Sequence, residues 1–398
     1  MITLRSLIFI FIGLLSLNCL GEVSDALLKK AKQGDAVAQL EVAREYLDYD
    51  ARSYDDVQQG LLWLEKAASQ NYTEAMVQYA ELLCDIDAFC SEPDFVKAVD
   101  LYRKAAAKGD KRAKQVLTDL ANMKREEISH NCPFTYLPCD DELTSYSFFK
   151  ENEPLIQKEY EKNNPVAAYY MAVISFIEKD YDKTIKLLSE IYPIVTKEDN
   201  YFDDFLEDDY NIRANSIGIR VPALLGLCYE FGYGVDKDYK KAAEYYLTDF
   251  DYSLFGMTKI PKVRGAYCYK KAGLTDKFIK EAENQGDLIW NNKNTKLLKV
   301  PCLQNELAEM YRTGEGVDLN KQKALEIYES VVDGRKYVKD LNLWLPEVRS
   351  YPDMGNAAYQ ASKMYLNGEG CEADPAMAEL YFEIALKYGN VNAWYENK

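Results

Sequence analysis

Apolar residues recur along most of the chain at helical spacing, with small and aromatic side chains three or four positions apart. The segments that show this pattern are 36–47, 57–70, 73–83, 95–108, 165–177 and 181–195. These segments occur in pairs joined by short polar stretches, which is typical of antiparallel helix pairs. Because one pair cannot bury its apolar face alone, the pattern predicts that successive pairs stack on one another.

The clearest internal repeat is a double-glycine turn that occurs three times in the C-terminal half. Each turn follows a tyrosine by three residues, and the glycines are Gly232 and Gly234, Gly314 and Gly316, and Gly368 and Gly370. Glycine ends a helix in the left-handed conformation without steric cost. Four residues after each second glycine stands a polar residue that can cap the next helix: Asp238, Asn320 or Asp374. Each copy therefore predicts a helix, a turn and an antiparallel helix.

These turns, with the alanine and aromatic positions that follow them, resemble the Sel1-like repeat family of tetratricopeptide-like α-solenoids. The resemblance covers residues 222–250, 303–334 and 356–390, whereas the early repeats share only the helical alanine and aromatic positions. It implies an all-α fold, an α/α solenoid (superhelix) of about six or seven antiparallel helix pairs. It also implies a protein–protein interaction scaffold or adaptor with no cofactor and no catalysis.

The pattern divides the chain into five parts. We expect a signal peptide at 1–21, N-terminal Sel1-like or TPR-like repeats at 22–124, an irregular cysteine-containing insertion at 125–160, a TPR-like helix pair with an acidic loop at 161–221, and C-terminal Sel1-like repeats at 222–398. The uneven glycine spacing further predicts a degenerate repeat around 266–286 and an insertion near 337–354.

The first residues are typical of a secretory signal. Arg5 precedes a mostly apolar run that is shorter than the ~20 residues needed to span a bilayer. Cys19 and Gly21 place small residues at the −3 and −1 positions of a cut before Glu22. The alternative is a lipoprotein acylated at Cys19, which Asn18 disfavours. We therefore expect an exported protein without a membrane span, in the periplasm or outside the cell, or in the secretory lumen of a eukaryote.

Removal of Cys19 would leave eight cysteines, and an even number in an exported chain favours disulfides. The candidate local pairs are Cys84 with Cys90 and Cys132 with Cys139. The remaining four can pair in three ways, which the sequence leaves open: Cys228, Cys268, Cys302 and Cys371.

Candidate chemistry is sparse. The one histidine, His130, argues against a hydrolytic triad or a multi-histidine metal site. Ser147 and Lys150 fit a Ser-x-x-Lys pattern, which leaves a β-lactam- or cell-wall-active enzyme as the alternative of another class. Its companion motifs are absent from the sequence, so we expect no metal, cofactor or catalytic residue.

The charge and one acidic segment indicate the kind of partner. With 48 Lys and Arg against 65 Asp and Glu, the net charge of −17 disfavours nucleic acid. A segment of carboxylates and aromatic rings is a possible site for a basic partner or for calcium: Tyr201, Phe202, Asp203, Asp204, Phe205, Glu207, Asp208, Asp209 and Tyr210. We expect protein partners, and the alternative within this class is an immunity or inhibitor protein that masks an exported toxin.

Overall fold

The computed structural model describes residues 23–47, 54–84, 93–122, 146–196, 217–248, 259–284, 300–340 and 351–397. Within these residues the secondary structure consists of nineteen helices, with no strand. The chain divides into two compact units, Met1–Met123 and Lys124–Lys398. The fold is all-α, and each unit is a stack of helix pairs of the α/α-solenoid type.

The N-terminal unit contains six described helices. They are α1 (Asp25–Lys32), α2 (Ala36–Leu47), α3 (Tyr54–Ser69), α4 (Thr73–Cys84), α5 (Phe95–Ala107) and α6 (Lys111–Asn122). Each helix packs on the helices before and after it in the chain. The pairs α2–α3 and α4–α5 close over one apolar core that includes Trp63, Met76 and Tyr102.

The C-terminal unit contains thirteen described helices. They are α7 (Tyr146–Glu151), α8 (Glu153–Tyr160), α9 (Pro165–Ile177), α10 (Tyr181–Val195), α11 (Ile217–Phe231), α12 (Tyr239–Tyr246), α13 (Lys259–Lys271), α14 (Thr275–Asn284), α15 (Pro301–Thr313), α16 (Lys321–Asp340), α17 (Tyr351–Asn367), α18 (Pro375–Lys387) and α19 (Val391–Glu396). The pairs are α9–α10, α11–α12, α13–α14, α15–α16 and α17–α18.

The first helices of these pairs form one layer of the C-terminal unit. Helix α9 packs on α11, α11 on α13, α13 on α15 and α15 on α17, in addition to the contacts between chain neighbours. Alanines of the second helices are buried where the helices cross, as at Ala242, Ala324 and Ala378. A small side chain allows the close approach that stacked repeats need. Surface positions of the first helices therefore lie side by side in successive repeats.

A second turn motif joins one pair to the next. A residue with positive φ ends the second helix, and an Asp or Asn side chain then caps the following first helix. Gly109 has φ +96°, and Asp110 Oδ1 accepts from the Ala113 N–H at 2.9 Å. Gly389 and Asn390 repeat this arrangement before α19. The glycine-asparagine step before α19 had no place in the predicted repeat, although it marks the start of one more first helix.

Two parts of the predicted organisation differ in the structure. Residues 146–160, expected to be irregular, form α7 and α8 instead, because Phe149 and Ile156 are fully buried against the core around α9. Helix α11 begins at Ile217, before the predicted boundary at 222, since the glycine turn marks only where a first helix ends. The degenerate repeat expected around 266–286 is the helix pair α13–α14.

Candidate interaction surface

The six predicted turn glycines all have a left-handed backbone. Their φ angles are +79° and +68° at Gly232 and Gly234, +78° and +72° at Gly314 and Gly316, and +67° and +80° at Gly368 and Gly370. The left-handed conformation costs a residue with a side chain about 1–2 kcal/mol, which explains why glycine occupies these positions. The first glycine of each turn ends the first helix, as Gly314 does for α15.

The second glycine of each turn has a further role that concerns the neighbouring repeat. An added Cβ at Gly370 would lie 2.5 Å from the backbone carbonyl of Lys321. At Gly234 it would lie 2.8 Å from the carbonyl of Tyr181, and at Gly316 it would lie 2.9 Å from Oγ1 of Thr275. Lys321, Tyr181 and Thr275 are each the first residue of the preceding second helix. We call each such contact a glycine junction, and it sets how closely consecutive repeats approach.

The predicted cap residues close the turns in one common geometry. Asp238 Oδ1 accepts from the Lys241 N–H at 2.9 Å, and the Asp238 N–H donates to the Tyr229 carbonyl at 2.9 Å. Asn320 and Asp374 make the corresponding side-chain and backbone hydrogen bonds. Because the cap also binds the tyrosine that precedes the turn, both helices of the pair are fixed at once.

In the first two turns, the tyrosine before the turn binds a lysine of the second helix. Lys241 Nζ donates to Tyr229 Oη at 2.8 Å and lies 4.2 Å from the centroid of its ring. Lys323 and Tyr311 repeat this contact at 2.6 Å and 4.1 Å. The hydrogen bond that Lys241 donates to Tyr229 is the main cause that raises the pKa of Lys241. These recurring tyrosines therefore support the fold and are not spare partner-binding groups.

A buried charged network connects two consecutive first helices, α11 and α13. Arg264 Nε donates to Glu230 Oε2 at 2.6 Å and Nη2 donates to Oε1 at 3.2 Å, with side chains only 3% and 10% exposed. Tyr246 Oη donates to the same Glu230 Oε2 at 2.9 Å. Burial is the first cause that raises the pKa of Tyr246 well above its usual value. The sequence interpretation missed this network, although its two charges lie one repeat apart.

Ion pairs join successive first helices at positions that recur within each unit. They are Glu230 with Arg264 and Lys270 with Glu306 in the C-terminal unit, and Arg44 with Glu74 and Glu81 with Arg112 in the N-terminal unit. Each middle helix carries two charges of one sign: α13 contributes Arg264 and Lys270, and α4 contributes Glu74 and Glu81. We call this arrangement the charge ladder.

Lys150 of the Ser-x-x-Lys pattern lies in an ion-pair cluster. Its Nζ is 2.8 Å from a Glu153 oxygen and 2.7 Å from a Glu178 oxygen. The hydrogen bonds that Lys150 donates to these carboxylates raise its pKa, whereas a lysine that acts as a base needs a lowered pKa. The side chain of Ser147 lies outside the described residues. The described contacts give Lys150 the role of tying α7 to the end of α9.

The cysteines differ from the predicted disulfide framework. Cys228, Cys268 and Cys371 have free thiols, so the expected pairing among these three and Cys302 is not formed. The reason is positional: Cys228 and Cys268 occupy the same site of α11 and α13, each buried in the core of its own repeat. Cys90, Cys132 and Cys139 lie outside the described residues, so the pairs Cys84–Cys90 and Cys132–Cys139 stay predictions.

We expect these thiols to differ sharply in reactivity. Burial raises the pKa of Cys228 to about 12 and also raises that of Cys268, so at pH 8 both stay protonated and shielded. The half-buried Cys371 should be alkylated first in the native protein, and the other two only in denaturant, all without a reductant. Peptide mass mapping of timed iodoacetamide labelling measures this order. A disulfide-linked peptide that contains Cys228 or Cys268 would contradict it.

His130 and the acidic and aromatic segment from Tyr201 to Tyr210 lie outside the described residues. Among the residues that the structure does describe, no group of three or more His, Cys, Asp or Glu side chains is arranged to hold a metal ion. None of the described helices has the length and apolar character required to cross a membrane.

The stacked helix pairs and glycine junctions define an α/α repeat protein. The Sel1 repeat family model matches residues 36–72, 73–110, 223–248, 303–330 and 355–390. The chain is therefore a Sel1-like repeat protein, as the glycine turns predicted, and the weaker N-terminal copies are repeats of the same family. Sel1 repeat proteins generally mediate protein–protein interactions, and their fold is typically a non-catalytic scaffold.

Two solved structures are similar to this chain over most of its length. One is a Sel1 repeat protein from Oxalobacter formigenes, at 13% identity over 98% of this chain and 99% of that chain, with a TM-score of 0.33. The other is c5321, a protective antigen of uropathogenic Escherichia coli strains that displays an SLR fold, at 18% identity over 92% and 79%, with a TM-score of 0.23. No curated protein matches the chain in sequence. The family membership rests on the five repeats.

Proposed function

We propose that this protein is an exported adaptor that binds another protein on the outer positions of its repeats. The observation that carries the proposal is how the repeat positions are used. Glycines and caps recur in all three turns, and the lysine–tyrosine pair in two of them, because packing requires them, whereas exposed or half-buried positions beside them differ between copies. Between the two glycines stands Tyr233 in one turn and a glutamate, Glu315 or Glu369, in the others. Variable surface on a fixed frame suits partner recognition.

Export is the second part of the proposal, and its support comes from the sequence. Arg5, the apolar run after it and the small residues before Glu22 fit a cleaved secretory signal. The partner then shares the periplasm, the cell exterior or a secretory lumen. The net charge of −17 favours a partner with basic surface.

Affinity capture from intact cells should recover one or a few extracytoplasmic proteins. The full chain carries a C-terminal tag, and a membrane-permeable crosslinker is added before lysis. The exported form should begin at Glu22, which intact mass measures directly.

The matched control is a chain without residues 2–21, which stays inside the cell and should lose those partners. Equal recovery with and without residues 2–21 would refute export. Recovery of no partner by either form, with the crosslinker shown to act on a known complex, would refute the adaptor role.

A further inference from the structure

One glycine junction differs from the other two in having aromatic side chains at its exposed positions. Tyr233, between the glycines, stacks on Tyr181 with ring centroids 4.9 Å apart, and on Phe231 at 5.7 Å. Phe176, at the end of α9, contacts Tyr181 at 5.6 Å and Tyr233 at 5.7 Å. We call Phe176, Tyr181, Phe231 and Tyr233 the aromatic junction. It joins the pair α9–α10 to the pair α11–α12.

The other junctions show that the fold does not require these rings. The positions of Tyr181, Phe231 and Tyr233 are occupied by Thr275, Thr313 and Glu315 in one junction, and by Lys321, Asn367 and Glu369 in the other. In both of those junctions the second glycine lies similarly close to the start of a preceding helix, although the side chains at the three positions are polar. The close packing of consecutive repeats therefore does not depend on these aromatic residues, which are specific to this junction.

The aromatic junction is open to solvent. The Phe231 side chain is 44% exposed, and the other three rings are partly buried. Clustered aromatic rings that remain exposed at polar positions of a repeat are typical of binding hot spots, where tyrosine and other aromatic residues provide anchors. A surface used only for stability would bury the phenyl ring of Phe231, which is less polar than the two tyrosines, rather than leave it the most exposed of the four.

The chemistry around the rings identifies the kind of partner. The segments 176–183 and 230–237 carry five carboxylates and three lysines, and the whole chain has a net charge of −17. Glu230 is buried against Arg264, and Glu178 is bound to Lys150, but Asp182 and Asp236 are exposed and flank the stacked tyrosines. Aromatic rings with nearby carboxylates attract guanidinium and ammonium groups. Arg264 shows this preference from the buried side, since its guanidinium lies 5.3 Å from the Phe231 ring centroid.

We propose that the aromatic junction is the docking site for a basic segment of the protein partner, with arginine or lysine side chains stacked on its exposed rings. This inference rests on the adaptor role proposed above and specifies where the partner binds. The site lies wholly within the C-terminal unit. Its binding should weaken with salt, because the flanking aspartates act on exposed charges.

The test is a titration of the full chain with a short peptide that carries three arginines separated by glycine and serine. The triple variant Tyr181→Thr, Phe231→Thr, Tyr233→Gln uses the residues found at the junction of Thr275 with Gly316, with the neutral amide in place of Glu315, so the fold should tolerate it and no carboxylate that attracts arginine is added. Binding measured by calorimetry should fall about tenfold or more in this variant. The control Leu366→Thr removes another exposed apolar side chain of the same unit and should leave binding unchanged.

Thermal melting by circular dichroism verifies that the variants are folded, and Phe231→Thr alone replaces the triple variant if that one melts early. Unchanged arginine-peptide binding in the folded variant would overturn the docking site, as would equal binding of the same peptide with glutamates. The capture experiment separates the two proposals. A partner that the triple variant still recovers refutes this site alone, whereas no partner for the unaltered chain refutes the adaptor role.

Discussion

Replacing Gly370 by alanine should destabilise the C-terminal repeats by about 3 kcal/mol or more. Two costs add. The residue has φ +80°, where an L-side chain is strained, and the new Cβ would lie 2.5 Å from the Lys321 backbone, which cannot rotate away. The expected result is a large drop in the midpoint of urea unfolding, measured by circular dichroism on the full chain.

Gly273→Ala is the matched control, because it isolates the backbone cost. Gly273 has φ +71°, but nothing lies within 4 Å of its added Cβ. It should cost only about 1–2 kcal/mol. Equal losses in the two variants would show that the junction at Gly370 relaxes freely, and the proposed spacing role of the second glycine would then be wrong.

Replacing Arg264 by methionine should cost about 3–5 kcal/mol, because it leaves the Glu230 carboxylate buried without its partner. The pair is deeply buried and joined by two hydrogen bonds, so water cannot replace the hydrogen bonds that Glu230 loses with Arg264. Thermal and urea unfolding of the variant measure the loss. The triple variant Arg264→Met, Glu230→Leu, Tyr246→Phe should recover most of it, since an apolar set of similar volume needs no charge partner and leaves no buried hydroxyl without an acceptor.

Lys363→Met provides the comparison with an exposed pair. Lys363 binds Glu396 with side chains about one-third exposed, at 34% and 37%, and such pairs contribute about 1 kcal/mol or less. A loss at Lys363 as large as that at Arg264 would mean that burial does not decide the effect. Failure of the three apolar replacements to restore stability would point instead to the stacking of Arg264 on Phe231.

The sequence predicted the local structure well where a cap or a glycine marks an end. Helices α2, α9 and α10 begin and end at the predicted residues. Asn164 and Asp180, which cap α9 and α10, are local signals that a pattern within one segment reveals. Residues 146–160 have no such marker, and their helices depend on burial of Phe149 and Ile156 against another segment.

The interaction surface was harder to predict because its contacts join residues from different repeats. The second glycine contacts a helix start far away in the chain, so its role is invisible within its own motif. Glu230 and Arg264 look like surface charges until two first helices pack together. Tyr233 is recognised as part of an aromatic cluster only once it is seen to stack on Tyr181 and is compared with the glutamates of the other turns. Aligning the copies by their glycines would have revealed that last difference.

The charge ladder limits which first helices can pack next to each other around α13. Helix α13 presents Arg264 to Glu230 on one side and Lys270 to Glu306 on the other. Excision of the single pair α13–α14 would bring Glu230 opposite Glu306, two carboxylates where an ion pair stood. Like charges in contact repel, and a buried one is costly. Loss of this one repeat is therefore penalised at this place, so the repeats are not freely interchangeable modules.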